Sequence, residues 1–401
     1  MSSRRLLGGG GPSGPERSGG AAPALTETRG GEADHAGNAG TPAKLGALTR
    51  GGVLLCGGGT GGHVLPGLAV AEALRRRGLN DLRWIGDPDR IEANLVPGAG
   101  IPLLPLGLSR PALRSPGWWR RSLAMAWKVH RELSRNRPEA IIALGGYASL
   151  LPALLAPIHR IPLVVMEQNA HAGRTNRLTS RYAAAIITQF PEASAHLRAS
   201  RVQMLGNPVR AIAPRPRGQG QDLTVLVVGG SLSAKSLNDL LVAAAPSLAV
   251  IPGLKLIHLA GDDDRARVAE AYAAVGLSAE VHGFYRDMPG LYERVDLAVT
   301  RAGATTVAEL CSAGIGALYI PLPWAAEDHQ TANARSIERI GGAVVLPQAT
   351  TTPTDLAAAI ARLVQDRAAV GSLGEQARTL ARPDAADAVA DLVLRLARPR
   401  S

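Results

Sequence analysis

A turn made almost entirely of glycine precedes a histidine at residues 57–63, which read GGGTGGH. Glycines let the backbone approach a ligand closely, and a helix after the turn would aim N–H groups and partial positive charge at an anion. Gly57, Gly59 and Gly62 fit the dinucleotide pattern GxGxxG, which needs an acidic residue about 20 residues on. That residue should close the second strand, and the first candidate at that position, Asp87, comes 30 residues after Gly57. No lysine follows the turn, which excludes a P-loop.

A second glycine turn, residues 145–149 with the sequence GGYAS, follows another apolar run. Ser149 is placed to cap the helix expected after it. Taken alone, the turn is explained by that cap. If the two glycine turns end neighbouring strands, however, their backbones form a single anion pocket, and a pyrophosphate has the matching size.

Polar residues also follow other apolar runs. Glu167, Gln168 and Asn169 come directly after residues 163–166 and form either a turn or a rim that faces a ligand. Arg210 ends the segment GNPVR, and its guanidinium can clamp a phosphate or a carboxylate. Ligands of parallel α/β sheets bind at the carboxyl ends of the strands, so these residues are candidates for one site.

In the second half of the chain, Glu309 falls early in a helix that follows a strand. It is either a surface residue favoured by the helix dipole or an acceptor for two hydrogen bonds from a ribose diol. Gln330 and Asn333 lie three residues apart on one helix face, and their amides suit sugar hydroxyls.

Two acidic turns resemble metal sites. Asp87 with Asp89, and residues 262–264 (DDD), are spaced like the paired aspartates of metal-dependent glycosyltransferases. We interpret both as solvated turns and predict no metal. Basic residues are not interleaved with aromatic ones, so we predict no nucleic acid partner.

Three of the five tryptophans lie between residues 103 and 128, beside five cations. The cations are Arg110, Arg114, Arg120, Arg121 and Lys128. Tryptophan with arginine is typical of a surface that binds anionic lipid. The alternative is a core helix whose arginines reach past it to water. The net charge of +11 comes almost entirely from arginine, which we interpret mostly as genome composition, with a basic surface for phosphates or anionic lipid as the alternative.

The elements that must position these residues repeat as strand, turn and helix. Apolar runs at residues 53–56, 140–144, 163–166 and 185–188, with helices at 66–77, 118–136 and 149–156, predict a parallel sheet covered on both faces. A second series starts with residues 223–228 and a glycine turn at 229–231. The fold class is therefore α/β, with two Rossmann-like domains facing across a cleft.

Composition sets the boundaries of these domains. The chain has 401 residues, 46% of them hydrophobic, and only two cysteines, which excludes a disulfide scaffold. We predict a disordered Gly/Pro-rich tail at 1–48, a first Rossmann-like domain at 49–213, a linker at 214–221 and a second Rossmann-like domain at 222–401. The last helix is expected to pack back on the first domain. No apolar run is long enough to span a bilayer.

Six motifs in order make the chain similar to the MurG family of bacterial N-acetylglucosaminyltransferases. They are residues 58–64 (GGTGGHV), 145–149 (GGYAS), 167–169 (EQN), 206–210 (GNPVR), 300–310 (TRAGATTVAEL) and 328–334 (DHQTANA). The resemblance implies a GT-B fold and inverting, metal-independent transfer from UDP-GlcNAc to lipid I, without a cofactor. It also implies that the domain at 49–213 binds the acceptor and the membrane, and that the domain at 222–401 binds UDP-GlcNAc. The enzyme would be peripheral, on the cytoplasmic side of the cell membrane, with other cell-wall synthesis proteins open as partners.

The resemblance also implies roles for individual residues. His63 would act as general base or orient the acceptor, and the acceptor diphosphate would bind Gly59, Gly61, Gly62, Gly145, Gly146, Tyr147 and Ser149. Donor contacts would come from Thr60, Gly61, Gly62, Asn169, Arg210, Ser231, Phe284, Tyr285, Glu309, Gln330 and Asn333. Among these, Glu309 would bind the ribose, and Phe284 with Tyr285 would read uracil.

One segment departs from the family. Residues 229–234 read GGSLSA where the family has GGSQGA. Three alternatives therefore stay open: a related GT-B transferase with another acceptor, a catalytically silent lipid-binding paralogue, and a nicotinamide-dependent oxidoreductase supported by GxGxxG alone.

Overall fold

The first half of the chain forms a seven-stranded parallel sheet. The computed structural model describes residues 51–106, 116–210, 212–218, 222–230, 234–322 and 328–397. The sheet has the order β3-β2-β1-β4-β5-β6-β7. Its strands are β1 (Val53–Cys56), β2 (Leu82–Gly86), β3 (Leu103–Pro105), β4 (Ala140–Ala143), β5 (Leu163–Glu167), β6 (Ala185–Thr188) and β7 (Val202–Gln203).

Helices cover both faces of this sheet, because successive strand residues point to opposite sides. Val53 and Leu55 pack in one buried cluster, and Leu54 and Cys56 pack in another. The helices are α1 (Gly61–Arg76), α2 (Glu92–Gly98), α3 (Pro116–Arg135), α4 (Leu150–Leu155) and α5 (Arg174–Thr179). Short 3₁₀ turns cover Tyr147–Ser149, Pro191–His196 and Ala199–Arg201.

The second half forms a six-stranded parallel sheet with the order β10-β9-β8-β11-β12-β13. Its strands are β8 (Leu223–Val228), β9 (Leu254–Leu259), β10 (Ala279–His282), β11 (Leu297–Thr300), β12 (Gly316–Tyr319) and β13 (Ala343–Val345). Its helices are α6 (Ala234–Ala249), α7 (Arg265–Ala274), α8 (Met288–Arg294), α9 (Ala304–Ala313), α10 (His329–Arg339), α11 (Pro353–Gln365) and α12 (Arg367–Arg378). The predicted fold class is confirmed.

The last helix, α13 (Ala385–Ala397), packs on the first sheet and not on the second. Val389 and Val393 are fully buried in the same cluster as Val53 of β1. At the surface of this contact, Arg77 donates to Asp387 (2.5 Å) and to Asp391 (2.6 Å). The C-terminal helix therefore completes the core of the first domain.

Two local predictions are wrong. Helix α1 begins at Gly61 and not at Pro66, so Pro66 lies inside the helix and the Gly62 carbonyl lacks an intrahelical donor. Ser149 does not cap α4. Its hydroxyl donates to the Gly146 carbonyl (2.9 Å) and is thus used inside the glycine turn.

Some predicted features lie outside the described residues. They are the tail at 1–48, Ser231, and the cations Arg110 and Arg114. None of the described helices is long and apolar enough to cross a membrane.

Candidate active site

The two glycine turns lie against each other, because β1 and β4 are neighbours in the sheet. A Cβ added at Gly57 would stand 2.7 Å from the Gly145 carbonyl oxygen, and one added at Gly146 would stand 2.7 Å from that of Gly58. Gly145 and Gly146 also have positive φ, +100° and +76°. Only glycine permits this contact of backbone with backbone.

His63 lies at the junction of the two turns, in the first turn of α1. Its Nδ1 is 3.3 Å from the Thr60 hydroxyl oxygen, and its Nε2 faces the Cα of Gly145. The imidazole is partly buried, and desolvation lowers its pKa, although the charge of Glu167 opposes this effect. Near neutral pH the ring is therefore uncharged and able to accept a proton.

Two buried carboxylates support these turns: Glu92, which was not predicted from the sequence, and Glu167 of the EQN motif. Glu92 is fully buried on α2 and accepts from the backbone N–H of Gly59 (2.9 Å) and of Asp87 (3.0 Å). Glu167 accepts from the Gly173 N–H and from the Asn176 amide, both at 2.9 Å. Each carboxylate replaces water at backbone groups that the turns leave unpaired.

The EQN segment is a turn built around Glu167. That side chain is 3% exposed and also accepts from the Asn169 N–H (2.9 Å), while Gln168 is buried and donates to the Leu144 carbonyl (3.2 Å). Asn169 is half-buried and faces the second domain. Of the three residues, only Asn169 lies on the rim that faces the cleft.

The carboxyl ends of the two sheets meet across a cleft. A Cβ added at Gly62 would stand 3.9 Å from the hydroxyl oxygen of Thr305 at the start of α9. That oxygen is buried and has no hydrogen-bond partner among the described residues. The charge of His329, at the start of α10, contributes to the low pKa of His63. Residues of the second domain thus border the glycine turns.

Asn333 of α10 bridges the two domains. Its Oδ1 accepts from the Ala170 N–H (2.7 Å), and its amide donates to Asn169 Oδ1 (3.1 Å) and to the Ala302 carbonyl (3.0 Å). Asn333 is fully buried. Its neighbour Gln330 is half-buried and accepts from the Leu322 N–H (3.0 Å).

Glu309 lies in the second turn of α9 and is half-buried. It accepts a hydrogen bond of 2.8 Å from the Tyr292 hydroxyl. Burial raises the pKa of Glu309, whereas the Tyr292 hydroxyl and the charge of Arg210 lower it. Arg210 itself is exposed. The structure thus brings together a carboxylate and a guanidinium predicted from separate motifs.

The remaining site residues predicted from sequence are dispersed. Phe284 is 74% exposed, and Tyr285 is half-buried with its ring edge-on to His282. Tyr147 is 42% exposed beside the glycine turns, while Ser149 is buried beneath them.

The acidic turns have structural partners. Asp87 accepts from the Asp89 N–H (3.0 Å), and Asp264 pairs with Arg267 (2.6 Å) and accepts from the Asn238 amide (2.7 Å). Arg267, above all, lowers the pKa of Asp264. The described residues hold no group of three or more acidic, histidine or cysteine side chains arranged to bind a metal.

Comparison with known proteins gives the family. The model of the glycosyltransferase family 28 N-terminal domain matches residues 53–188, and that of the C-terminal domain matches residues 224–390. Two similar proteins come from Bordetella parapertussis (40% identity, covering 87% of this chain and 99% of the relative) and Alkalilimnicola ehrlichii (42% identity, 86% and 99%). Both are named UDP-N-acetylglucosamine–N-acetylmuramyl-(pentapeptide) pyrophosphoryl-undecaprenol N-acetylglucosamine transferase. The chain belongs to the MurG family.

A solved MurG structure agrees with this membership. The crystal structure of Acinetobacter baumannii MurG is 33% identical, matches with a TM-score of 0.75, and covers 86% of this chain and all of that one. A kitacinnamycin glycosyltransferase, at 20% identity and a TM-score of 0.63, shares the fold. The family predicted from the six motifs is confirmed, and this MurG-family chain is a glycosyltransferase, not an oxidoreductase.

Three residues of this MurG-family site, Glu92, Tyr292 and Thr305, were not predicted from the sequence. One sequence feature could have indicated Glu92: it is an acidic residue at the start of a short apolar helix that follows a β-strand. Tyr292 lies 17 residues from Glu309 on another helix, and only the fold brings the two together. Thr305 lies within the motif at residues 300–310, but its position is that of an ordinary residue at the start of a helix.

Proposed function

We propose that the chain transfers GlcNAc from UDP-GlcNAc to the muramyl 4-hydroxyl of lipid I, with inversion at the anomeric carbon. One observation carries the proposal. A histidine that is neutral near pH 7 lies where two glycine turns meet, beside the cleft, in a chain about 40% identical over most of its length to transferases named for this reaction.

The acceptor diphosphate binds at the paired glycine turns in this proposal. Helix α1 begins at Gly61, so its first N–H groups and the positive end of its dipole face the pocket. The N–H of Gly59 already donates to Glu92, which leaves Thr60, Gly61 and Gly62 as donors. Gly146 and Tyr147 border the other side, and Ser149 holds their turn in place.

The donor binds the second domain. Glu309, held by Tyr292 at 2.8 Å, accepts hydrogen bonds from the ribose hydroxyls. Arg210 lies close enough to Glu309 to affect its pKa, and there it can meet a diphosphate attached to that ribose. The donor roles of Phe284 and Tyr285 at uracil, of Gln330 with Asn169 and Asn333 at the sugar, and of Ser231 at the phosphates belong to the same proposal.

His63 takes the proton from the acceptor hydroxyl as its oxygen attacks the anomeric carbon. The bond from that carbon to the diphosphate breaks, its electron pair leaves with UDP, and attack from the opposite face inverts the configuration. The negative charge of Glu167 favours the imidazolium formed in this step. Arg210 and helix N–H groups stabilise the charge on the leaving diphosphate.

Helix α3 provides the membrane contact in this proposal. Trp119, Leu123 and Trp127, spaced four residues apart, form a stripe and are 49%, 68% and 62% exposed. Arg120 and Lys128 are exposed near it. Indole rings with cations suit the anionic cytoplasmic face of the cell membrane, where a lipid-linked acceptor is found. The alternative of a core helix does not account for an exposed apolar stripe.

The test is transfer of labelled GlcNAc from UDP-GlcNAc to a short-chain lipid I analogue, with and without EDTA. We expect product in both cases, and much less with His63→Gln. His130→Gln, an exposed histidine on α3, is the matched control and should leave the rate unchanged. Activity lost in EDTA would refute metal independence. UDP binding without any product would refute the acceptor assignment or the catalytic role.

A further inference from the structure

A basic groove lies between α5 and the segment that follows β6. Arg174, Arg177 and Arg181 line one side, and His196 and Arg198 line the other. The groove has a volume of about 780 Å³, and no acidic residue lines it. Such a lining favours a ligand with several negative charges.

The groove keeps its positive charge because the nearest acidic side chain of the facing segment is already engaged. Glu192, in the 3₁₀ turn at Pro191–His196, pairs with Arg339 of the second domain. The two sides of the groove are joined by a hydrogen bond of 3.3 Å from Arg198 Nη1 to the Arg181 carbonyl. Arg181 and Arg198 remain exposed to solvent.

Helix α5 connects the groove to the acceptor pocket. On its buried face, Asn176 donates to Glu167 (2.9 Å) and lies 3.5 Å from where a Cβ of Gly145 would stand. On its other face, Arg174 and Arg177 line the groove, and Arg181 follows two residues after the end of the helix. An extended peptide of five residues spans about 17 Å. A peptide on an acceptor sugar at the glycine turns can therefore pass Asn176 to the arginines of α5 and extend from there into the groove.

We propose that this groove binds the carboxylates of the peptide carried by the acceptor. The inference rests on the proposed function, in which the acceptor is the muramyl-(pentapeptide) lipid in the name of the similar transferases. A peptide joined to the sugar through its amino end keeps its C-terminal carboxylate. Arginine binds carboxylates through two parallel hydrogen bonds, and the exposed Leu178 of the same lining can pack against apolar parts of the peptide.

The test compares two acceptor analogues with the same lipid and sugar, one with the intact pentapeptide and one without a peptide. With Arg181→Gln and Arg198→Gln combined, we expect the KM for the peptide-bearing acceptor to rise about tenfold, the sum of two exposed ion pairs. The KM for the peptide-free acceptor, the donor KM and kcat should not change. Arg265→Gln combined with Arg362→Gln, two exposed arginines of the second domain, is the matched control and should match wild type.

Three outcomes would overturn the inference: an equal rise in KM for both acceptors, no rise for either, or a parallel loss of binding to vesicles of anionic phospholipid. The last would assign the groove to lipid phosphates. Titration of soluble muramyl-pentapeptide, with free or amidated carboxyl groups, tests the groove without catalysis. If wild type transfers nothing but binds only the free-carboxyl form, the proposed function fails while the groove assignment stands. Equal binding of both forms refutes the groove assignment.

Discussion

His63 Nε2 lies against the α-carbon of Gly145, so that a methyl group at that carbon would stand only 3.0 Å from the ring nitrogen. The contact joins the helix after β1 to the turn after β4. On the Nε2 side, the position of the imidazole is therefore limited by the backbone of Gly145, whereas Nδ1 faces the Thr60 hydroxyl. An alanine at position 145 has to move the ring.

We predict that Gly145→Ala lowers kcat by at least tenfold through displacement of His63. The matched control is Gly78→Ala. Gly78 also has a positive φ, +87°, but a Cβ there meets nothing within 4 Å. Both variants should lose about 1–2 kcal/mol of stability from the strained backbone. Steady-state kinetics with thermal unfolding would separate the effects, and equal kcat values for the two variants would contradict the prediction.

The pH dependence of kcat reports on His63. Its pKa is lowered by burial, so we expect a constant rate at neutral pH and a fall on acidification only below about 6.5, the ordinary histidine value. Glu167→Gln removes the charge that raises this pKa, and should move the fall to still lower pH while decreasing kcat. A profile of this variant that coincides with wild type would show that Glu167 does not act on His63.

Substitution of Glu309 by glutamine should weaken donor binding without decreasing stability. Folding raises its pKa, so its ionisation lowers the free energy of unfolding as pH rises from about 4.3, the ordinary value, to the raised value. Glu309→Gln keeps a hydrogen-bond acceptor for Tyr292 and removes this loss, and the variant should be at least as stable at pH 7. Its donor KM should rise about tenfold or more, because an amide accepts more weakly from the ribose. An unchanged donor KM would remove Glu309 from the site.

Asn333→Asp should weaken the domain contact. A carboxylate cannot donate to Asn169 Oδ1 or to the Ala302 carbonyl, and both hydrogen bonds become repulsive contacts of oxygen with oxygen. We expect a loss of about 2–4 kcal/mol in the free energy of unfolding. Asn169→Ala removes one partner only and should cost about 1 kcal/mol. Denaturant unfolding measures both, and equal losses would show that Asn333 is not central to the contact.

The ion pairs between α1 and α13 predict an acid limit to stability. Arg77 lowers the pKa of Asp387 and of Asp391. The contribution of these ion pairs to the free energy of unfolding is therefore fully present above about pH 4, the ordinary aspartate pKa. It is lost as the pH falls through the lowered pKa values of the two aspartates. Arg77→Gln should decrease Tm at pH 7, less so in high salt, and reduce its change with acidification. Arg362→Gln on α11 is the control and should leave the dependence of Tm on pH unchanged.

Much of the fold follows from the sequence because the strands are fully buried and therefore continuously apolar. Residues 53–56, 140–144 and 223–228 could be placed to within one residue. The short edge strands β7, β10 and β13 were missed. β7 and β10 are less buried and lack that signal, whereas β13 is apolar but only three residues long. The predicted start of α1 at Pro66 was wrong because proline favours the first turn of a helix, whereas this helix begins in the glycine turn itself.

The site was less predictable than the fold. Motifs indicated His63, Glu309 and Asn333, but the sequence does not show which polar atoms the protein itself uses. Asn333 suited a sugar by its chemistry, and in the structure its three hydrogen bonds join two domains. The partners of Glu309 and His63 come from distant segments, and only tertiary packing makes those pairs.

The return of α13 to the first sheet has a consequence for biosynthesis. Val389 and Val393 supply part of the core around Val53. The core of the first domain is therefore incomplete until α13, more than 300 residues after Val53, has been translated. One face of the second sheet, by contrast, draws its core from one continuous stretch of chain, residues 223–370, and the other face adds only Ala170 and Phe190 from the described buried residues of the first half. The order of folding should thus be the reverse of the order of synthesis. The second domain should complete its fold first, and the first domain should complete its core only when α13 docks.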